Sequence, residues 1–345
     1  MTDRSLASLV AVTAVVLLAP ALGSAQSTQP TPRTEWGAPD LRGVWNNSTL
    51  TPFQRPESLG DQQFLTEEEA AAIEQRTADR DRELAGRAAL RTEADPNGNV
   101  DRGVDGAPGS YNNFWMERGT RVVATKRTSV VTDPPNGRLP AVTSATRAWM
   151  ESDEARYLAD VRGGRLPTEH YDQLDLGDRC IWYRGVPSFP TAYNNNYQIF
   201  QTPDVVAIVQ EHIHDVRVIP LDGRPNIPDS VRQYAGDSRG HWDGDTLIVE
   251  TTHFNEHAFI RNFTPTLSQS LHVVERFSRV DDGTLGYEFT VTDPNTWTRP
   301  WGGSLPMTPS TGPMFEYACH EGNYGLTNML AGSRLQEMEE LEASR

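Results

Sequence analysis

Two stretches in the second half of the chain have the pattern of β-hairpins. In residues 240–254 (GHWDGDTLIVETTHF) an Asp-Gly pair separates two runs of alternating apolar residues, and residues 271–293 (LHVVERFSRVDDGTLGYEFTVTD) repeat the arrangement with longer runs. Such a turn requires a positive φ, which glycine adopts without strain. Consecutive hairpins predict a mainly β, antiparallel fold, a barrel or a sandwich, whose ligands usually bind in the interior or at the mouth.

Other elements are predicted along the rest of the chain. Thr66 and Glu69 have the spacing of a capping box and predict a helix over residues 66–90, and a second helix is predicted over residues 144–158. Strands and helices do not alternate as they do in parallel folds, which disfavours nucleotide-binding architectures. The predicted strands cover residues 41–50, 120–132, 197–201, 205–213, 216–220, 246–252, 271–280 and 285–291.

The amino terminus has the pattern of an export signal. Arg4 precedes an apolar run, which small residues follow up to Ala25. We therefore expect a periplasmic or secreted protein with no membrane contact after cleavage, and an uncleaved membrane anchor is the alternative. The predicted organisation is a signal peptide (1–25), a linker (26–40), an amino-terminal extension with the first strand and the helices (41–175), an antiparallel β-barrel (176–335) and a charged tail (336–345).

Composition excludes several classes of partner and chemistry. The net charge is −16, which makes nucleic acid and anionic membranes poor partners. Lys126 is the single lysine, so Schiff-base chemistry has little support. No dinucleotide, P-loop or zinc-protease motif is present, and we expect no cofactor. In an exported protein Cys180 and Cys319 favour a disulfide, with two free thiols, one of them catalytic, as the alternative.

Carboxylates share the apolar face of three predicted strands. Because successive side chains of a strand point to opposite faces, Glu275, Glu211 and Asp293 are expected to point inward with their apolar neighbours. A carboxyl group in an apolar interior has a raised pKa and can serve as a general acid or base. Alternatively, the carboxylates pair with Arg217 or Arg276 and hold the fold together. The apolar residues on the three faces are Leu271, Val273 and Phe277; Val205, Ala207, Val209 and Ile213; and Tyr287, Phe289 and Val291.

The histidines offer a metal site or an acid–base group. His212 and His214 form an H-x-H pair, a spacing that metal sites use, and His253, His257 or His320 could complete such a site. A metal site is the weaker alternative, because a lone H-x-H pair is a poor signal. A hydrogen-bonded histidine or an acid–base role for His214 fits the pattern better.

Aromatic residues are the candidate substrate-binding groups. Aromatic walls bind sugars and flat organic molecules by stacking and apolar contact. The alternative is that the same rings pack the core. The candidates are Trp45, Trp182, Trp242, Tyr287, Trp297 and Trp301.

Two resemblances bear on the fold. Gly43, Val44 and Trp45 resemble the G-x-W signature of lipocalins and their calycin relatives. Over most of the mature chain, the sequence is also similar to a large family of uncharacterised exported bacterial proteins. These resemblances imply one integrated domain with a calycin-like barrel, and they bring no established activity. The segments similar to the family are residues 127–140, 179–180, 201–206, 236–251 and 274–279.

Two functions are compatible with these features. The first is an exported enzyme that performs metal-independent acid–base chemistry, as a lyase, isomerase or hydrolase, on a small neutral or aromatic molecule. The second is a lipocalin-like protein that binds a small molecule without changing it. Polar groups inside the barrel favour the enzyme. The candidate catalytic residues are Glu275, His214, Glu211, Arg217 and Arg276.

Overall fold

The computed structural model describes residues 31–86, 116–162, 167–256 and 268–345. The predicted signal peptide, residues 1–25, and His257 lie outside these ranges. The strands in the described ranges are β1 (Gly43–Asn46), β2 (Val131–Asp133), β3 (Asn196–Gln201), β4 (Val205–Gln210), β5 (Val216–Pro220), β6 (Asp237–Asp243), β7 (Thr246–Thr252), β8 (His272–Asp281), β9 (Thr284–Thr292), β10 (Trp301–Ser304) and β11 (Thr308–Pro309).

The strands form two antiparallel sheets that share one hydrophobic core. The first sheet has the order β11-β1-β3-β4-β5, and the second has the order β2-β10-β9-β8-β7-β6. The core contains residues from both sheets, among them Tyr197 and Val206 from the first and Phe277 and Trp301 from the second. The prediction of a mainly β, antiparallel fold is therefore confirmed.

Within the described ranges the two sheets do not close into a barrel. On one side the chain crosses between them, because Met307 pairs with Leu285 of β9 and the next residues pair with β1. On the other side β5 ends at Pro220, which has no N–H to donate, and a proline-containing link leads to β6. The prediction of a closed barrel is corrected to two packed sheets.

Both predicted hairpins form, but their turns differ. β6 and β7 are joined through Gly244, whose φ is +57°, as the hairpin argument requires. The β8–β9 turn contains Gly283, which does not have a positive φ. Its strands shift register between Arg279 and Asp281, and the Asp281 side chain accepts a hydrogen bond from the Gly283 N–H. A bulge and an Asp-centred turn therefore replace the positive φ there.

The predicted inward faces are correct for β8 and β9 and wrong for β4. Glu275 and Tyr287 are fully buried along with the apolar residues of their strands. On β4 the core-facing residues are Val206, Ile208 and Gln210, whereas Val205, Ala207 and Val209 of the predicted face are only partly buried. Glu211 and Ile213, predicted on the same face, are buried but lie beyond the end of the strand. Both faces of this strand are apolar apart from Gln210, so alternation of hydrophobicity could not tell them apart.

The helices are close to their predicted positions. α1 (Glu67–Gly86) begins with the predicted capping box, in which the Thr66 hydroxyl and the Glu69 carboxylate accept each other's backbone N–H. The second predicted helix is two short ones, α2 (Ser144–Met150) and α3 (Asp153–Arg162), and the side chain of Thr143 caps α2. The charged tail belongs to a longer helix, α4 (Tyr324–Ala343).

Two predicted strands are shorter than expected. The first covers only β1, and the strand predicted over residues 120–132 is reduced to β2. Lys126 has a φ of +55°, which an extended strand does not tolerate, so the preceding residues are irregular.

The predicted disulfide between Cys180 and Cys319 is present, with Cα atoms 5.7 Å apart. It does not tie the first strand to the last, as barrel closure would require. Instead it fastens the segment before α4 to the loop that leads into β3. None of the helices in the described part of the chain is long and apolar enough to span a membrane.

Candidate functional site

A buried ion pair connects the two sheets. Arg217 of β5 and Glu275 of β8 have side chains that are 3 % and 0 % exposed, and their Nη2 and Oε2 atoms are 2.5 Å apart. The second guanidinium nitrogen donates to Oε1 at 3.1 Å, so the contact is bidentate. The pair forms because Arg217 and Glu275 both lie on the core-facing sides of their strands.

Neighbouring hydroxyls complete the surroundings of the ion pair. The Tyr287 hydroxyl donates to Glu275 at 2.8 Å and accepts the backbone N–H of Ser188 at 3.1 Å. Burial, together with the Glu275 charge, raises the pKa of Tyr287 well above its usual value. Ser238 and Thr251 accept hydrogen bonds from Arg217. Because both Glu275 oxygens are engaged and water is excluded, this geometry favours a structural role over proton transfer.

The other predicted catalytic residues are not gathered around Glu275. The Glu211 carboxylate accepts two hydrogen bonds from Asn196 at the start of β3. His214 is exposed, and its Nδ1 lies 3.0 Å from the Tyr317 carbonyl oxygen. Arg276 is exposed on the opposite face of β8. The candidate catalytic residues His214, Glu211 and Arg217 do not form one group, since their side chains make no hydrogen bond with one another in the described ranges.

The turn after β4, residues 211–215, has a strained backbone. Ile213 has φ 60° and ψ 16°, and His214 has a φ of 47°. A β-branched residue in the left-handed region is a true outlier, and such strain is concentrated at functional sites. The predicted strand ends at this turn, so His212 and His214 do not share a strand face. We call residues 211–215 the β4–β5 turn.

Aromatic rings cover His212. Its ring stacks on Tyr183 with centroids 3.8 Å apart, and it contacts Tyr317 at 4.6 Å and Tyr193 at 5.3 Å. His212 is 2 % exposed, whereas the three tyrosines are partly exposed. Burial, and secondarily the charge of Arg184, lowers the pKa of His212 to about 3. The ring is therefore neutral near pH 7 and presents no charge beneath the tyrosines.

Asp215, the last residue of the β4–β5 turn, was missed by the sequence analysis. Burial raises its pKa to about 7, and the electrostatic interaction with the neighbouring His214 opposes part of that rise. Its Oδ2 atom is buried and has no hydrogen-bond partner among the described residues. A carboxyl group that titrates near neutrality is suited to accept and return a proton. The one signal in the sequence is its position between the H-x-H pair and a strand.

The predicted aromatic candidates are mostly packed in the core. Trp301 and Trp297 belong to one ring cluster, with centroids 6.1 Å apart, and Trp301 also packs against Phe53 and Phe289. Tyr287 belongs to the ion-pair network. These residues do not form the wall of one site.

The remaining tryptophans are spread over the fold. Trp45 is buried, and its indole N–H donates to the Leu41 carbonyl oxygen. Trp182 is also buried, in the loop before β3, and Trp242 is partly buried against the core. Of the six aromatic candidates, Trp45 lies on a strand of the sheet that carries the β4–β5 turn.

No three His, Cys, Asp or Glu side chains come together as a metal-ligand set in the ranges that the structure describes. His253 is paired with Asp229 at 3.0 Å, and His320 is exposed. The H-x-H pair therefore has no third ligand there.

Comparison with known proteins gives no further assignment, because no family model, no curated protein and no solved structure matches the chain.

Proposed function

We propose that the protein is an exported enzyme that performs acid–base chemistry on a small organic molecule at the β4–β5 turn. The observation that carries the proposal is the Asp215 carboxyl group, which lies on a strained turn, has a buried oxygen without a partner among the described residues, and has a pKa of about 7. Such a group transfers protons efficiently at neutral pH, because both of its protonation states are populated.

The neighbours of Asp215 have distinct roles in this proposal. His214, on the same turn, is exposed and accessible to an incoming molecule. The partly exposed faces of Tyr183, Tyr193 and Tyr317 offer an aromatic surface on which a flat ring can lie. Arg217 and Glu275 hold the two sheets at the distance that supports the turn. In this proposal Glu275, a candidate for proton transfer on sequence grounds, has a structural role instead.

The reaction class is a lyase, isomerase or hydrolase, in which one proton is removed and one is returned. This chemistry requires no cofactor. The substrate is a small molecule with a neutral reacting part or an aromatic ring, because the buried His212 ring beneath the tyrosines carries no charge at neutral pH.

The alternative function is binding without chemistry. In the part of the chain that the structure describes, the buried groups without partners include the amides of Asn47 and Gln210 and the hydroxyl of Tyr197, all of them neutral hydrogen-bonding groups rather than nucleophiles. A carrier of a polar small molecule needs only such groups.

Export, family and fold class belong to the same proposal. A periplasmic or secreted location is supported by the Cys180–Cys319 disulfide, since such bonds persist in oxidising compartments. A relationship to the exported family and to calycins, with two packed sheets in place of a closed barrel, also belongs to the proposal and is supported by one contact. Arg279, from a segment that resembles the family, lies 4.6 Å above the ring of Trp45 in the G-x-W segment.

The test begins with native mass spectrometry of the oxidised protein, followed by incubation with a mixture of small neutral and aromatic esters, lactones and hydroxyketones. We expect at least one compound to be converted, and Asp215→Asn to lower its turnover by about 100-fold or more. Asp204→Asn, an exposed aspartate in the loop before β4, is the matched control and should keep wild-type turnover. Full turnover by a folded Asp215→Asn protein would show that Asp215 is not the acid–base group.

A further inference from the structure

A row of core-facing residues crosses the first sheet and ends at Asp215. Trp45, Tyr197 and Gln210 are directly opposite one another on β1, β3 and β4. The Gln210 N–H then donates to the Asp215 carbonyl oxygen at 2.8 Å, which extends the row to the β4–β5 turn. Directly opposite residues in an antiparallel sheet have Cβ atoms about 5 Å apart, so the side chains in the row are neighbours. We call Tyr197 and Gln210 the polar row.

The side-chain polar atoms of the polar row are buried and have no hydrogen-bond partners within the described ranges. Gln210 is 1 % exposed, and neither its Nε2 nor its Oε1 contacts a donor or acceptor in the part of the chain that the structure describes. The same holds for the Tyr197 hydroxyl, which is 2 % exposed, and for both amide atoms of Asn47, which follows β1. Asp215 adds its buried Oδ2 at the end of the row.

Another buried glutamine on the same face of the sheet has a hydrogen-bond partner for each of its side-chain polar atoms. Gln201, at the other end of β3, accepts the Leu41 N–H with its Oε1 and donates to the Pro39 carbonyl oxygen with its Nε2. Across the core, the Tyr287 hydroxyl has two partners. Buried polar side chains are normally paired in this way, and each exception requires a missing partner such as a ligand or water. Among the unpaired buried side chains of the described ranges, Gln210, His212 and Asp215 lie together where the row approaches the β4–β5 turn.

We propose that the polar row binds a neutral group of the substrate that presents a hydrogen-bond donor beside an acceptor, as the adjacent hydroxyls of a sugar or a cyclic amide do. The primary amide of Gln210 offers an NH2 donor group and a carbonyl acceptor side by side, and the Tyr197 hydroxyl can donate or accept. The row itself carries no charge. The nearby Arg217 charge is balanced by Glu275, and the buried Arg184 guanidinium, 6.0 Å from the centre of the Tyr197 ring, donates hydrogen bonds to neutral oxygen atoms within residues 189–195. A cationic substrate group would have no counter-ion there, and an anionic group would meet only Arg184, whose Nη donors those oxygens already occupy.

This inference rests on the proposed function, because it places the bound group beside Asp215. Tyr197 and Gln210 are binding residues here, and Asp215 remains the acid–base group. The two ideas make separable predictions: the polar row determines affinity, and Asp215 determines turnover.

The first experiment measures stability with matched variants of the full oxidised chain. Tyr197→Phe and Gln210→Met remove unpaired groups, so their melting temperatures should equal or exceed that of the wild type. Tyr287→Phe and Gln201→Met remove paired groups in similarly buried positions, and their melting temperatures should fall. If the melting temperatures of the row variants fall as far as those of their controls, the row is already paired, by ordered water only. That result would overturn the inference.

The second experiment measures binding by titration calorimetry with three probes. Glucose supplies adjacent hydroxyls, N-acetylglucosamine adds an acyclic amide, and uracil supplies a flat cyclic amide; benzoate and toluene are the anionic and apolar controls. We expect a sugar or uracil to bind and the controls not to bind. Tyr197→Phe and Gln210→Met should each weaken binding about tenfold or more, the effect of losing a hydrogen bond to an otherwise unpaired buried group, and Gln201→Met should not.

The outcomes separate the two proposals. If none of the three probes binds at millimolar concentration, or if the row variants bind as tightly as the wild type, the polar row does not recognise this chemistry. If Asp215→Asn keeps full turnover while the row variants lose affinity, the catalytic proposal fails and the inference about the row stands. Preference for the sugars or for uracil identifies which source of the donor–acceptor pair the row accepts.

Discussion

Replacement of Glu275 by glutamine tests whether the buried ion pair holds the sheets together. The substitution keeps the size of the side chain and removes its charge. Arg217 is then left as a buried cation without a counter-ion, because its other partners, Ser238 and Thr251, are neutral hydroxyls. The Tyr287 hydroxyl still finds an oxygen to which it can donate, so the change is mainly electrostatic.

The expected loss of stability is large. Removing one member of a buried ion pair costs about 3–5 kcal/mol, because the remaining charge stays desolvated without compensation. A domain typically has about 5–15 kcal/mol of stability, so Glu275→Gln should remove a substantial part of it. In urea, with a denaturant slope of about 3 kcal/mol per molar, the unfolding midpoint should fall by about 1–1.7 M.

Two controls make the result specific. Glu288→Gln changes an exposed glutamate on β9 and should alter stability by less than about 0.5 kcal/mol. The double variant Arg217→Met/Glu275→Met removes both charges and should be more stable than Glu275→Gln, since apolar groups of similar volume replace a buried pair at little cost. An unchanged midpoint in Glu275→Gln, or a double variant no more stable than the single one, would refute the argument.

Three further predictions concern the turn, the disulfide and the first helix. Because the pKa of Asp215 is raised from 3.8 to about 7 in the folded protein, folding takes up a proton between these values, so stability from this group is greatest at low pH and falls as pH rises toward 7. This pH dependence is measured by urea unfolding, as the difference in unfolding free energy between the wild type and Asp215→Asn over that pH range. If the two proteins have the same pH profile of stability, the prediction is wrong. Cys180→Ser/Cys319→Ser opens a loop with a sequence separation of 139, which the chain-entropy model values at about 5 kcal/mol; a melting temperature that does not fall would contradict that value. Thr66→Ala removes one half of the capping box and should cost about 1 kcal/mol in urea unfolding, and no loss would mean that α1 adds nothing to global stability.

Local patterns predicted the parts of the fold that local chemistry determines. The β6–β7 hairpin follows from Gly244, the start of α1 follows from Thr66 and Glu69, and the inward position of Glu275 follows from the alternation on β8. In each case the residues that decide the structure are close together in sequence. The disulfide was predictable because only two cysteines were available to pair.

The parts that could not be predicted depend on contacts distant in sequence. β4 is apolar on both faces, so only its packing against the second sheet shows that Gln210 points inward. The separation into two sheets depends on how Pro220 ends β5. Asp215 owes its raised pKa to burial that the tertiary structure creates, and its neighbours in sequence give little sign of it.

The unpaired side chain of Gln210 departs from the general rule that each residue of a natural sequence suits its place in the fold. Gln201 and Gln210 are the same residue type on the same face of one sheet, yet one has a partner for each side-chain atom and the other has none in the described ranges. A chain that can satisfy one buried glutamine does not need a second unsatisfied one to fold. The unpaired amide is next to the strained Ile213 and beside the carboxyl group that titrates near neutrality. Three separate energetic costs in and directly beside one turn are expected where function, rather than stability, has selected the residues.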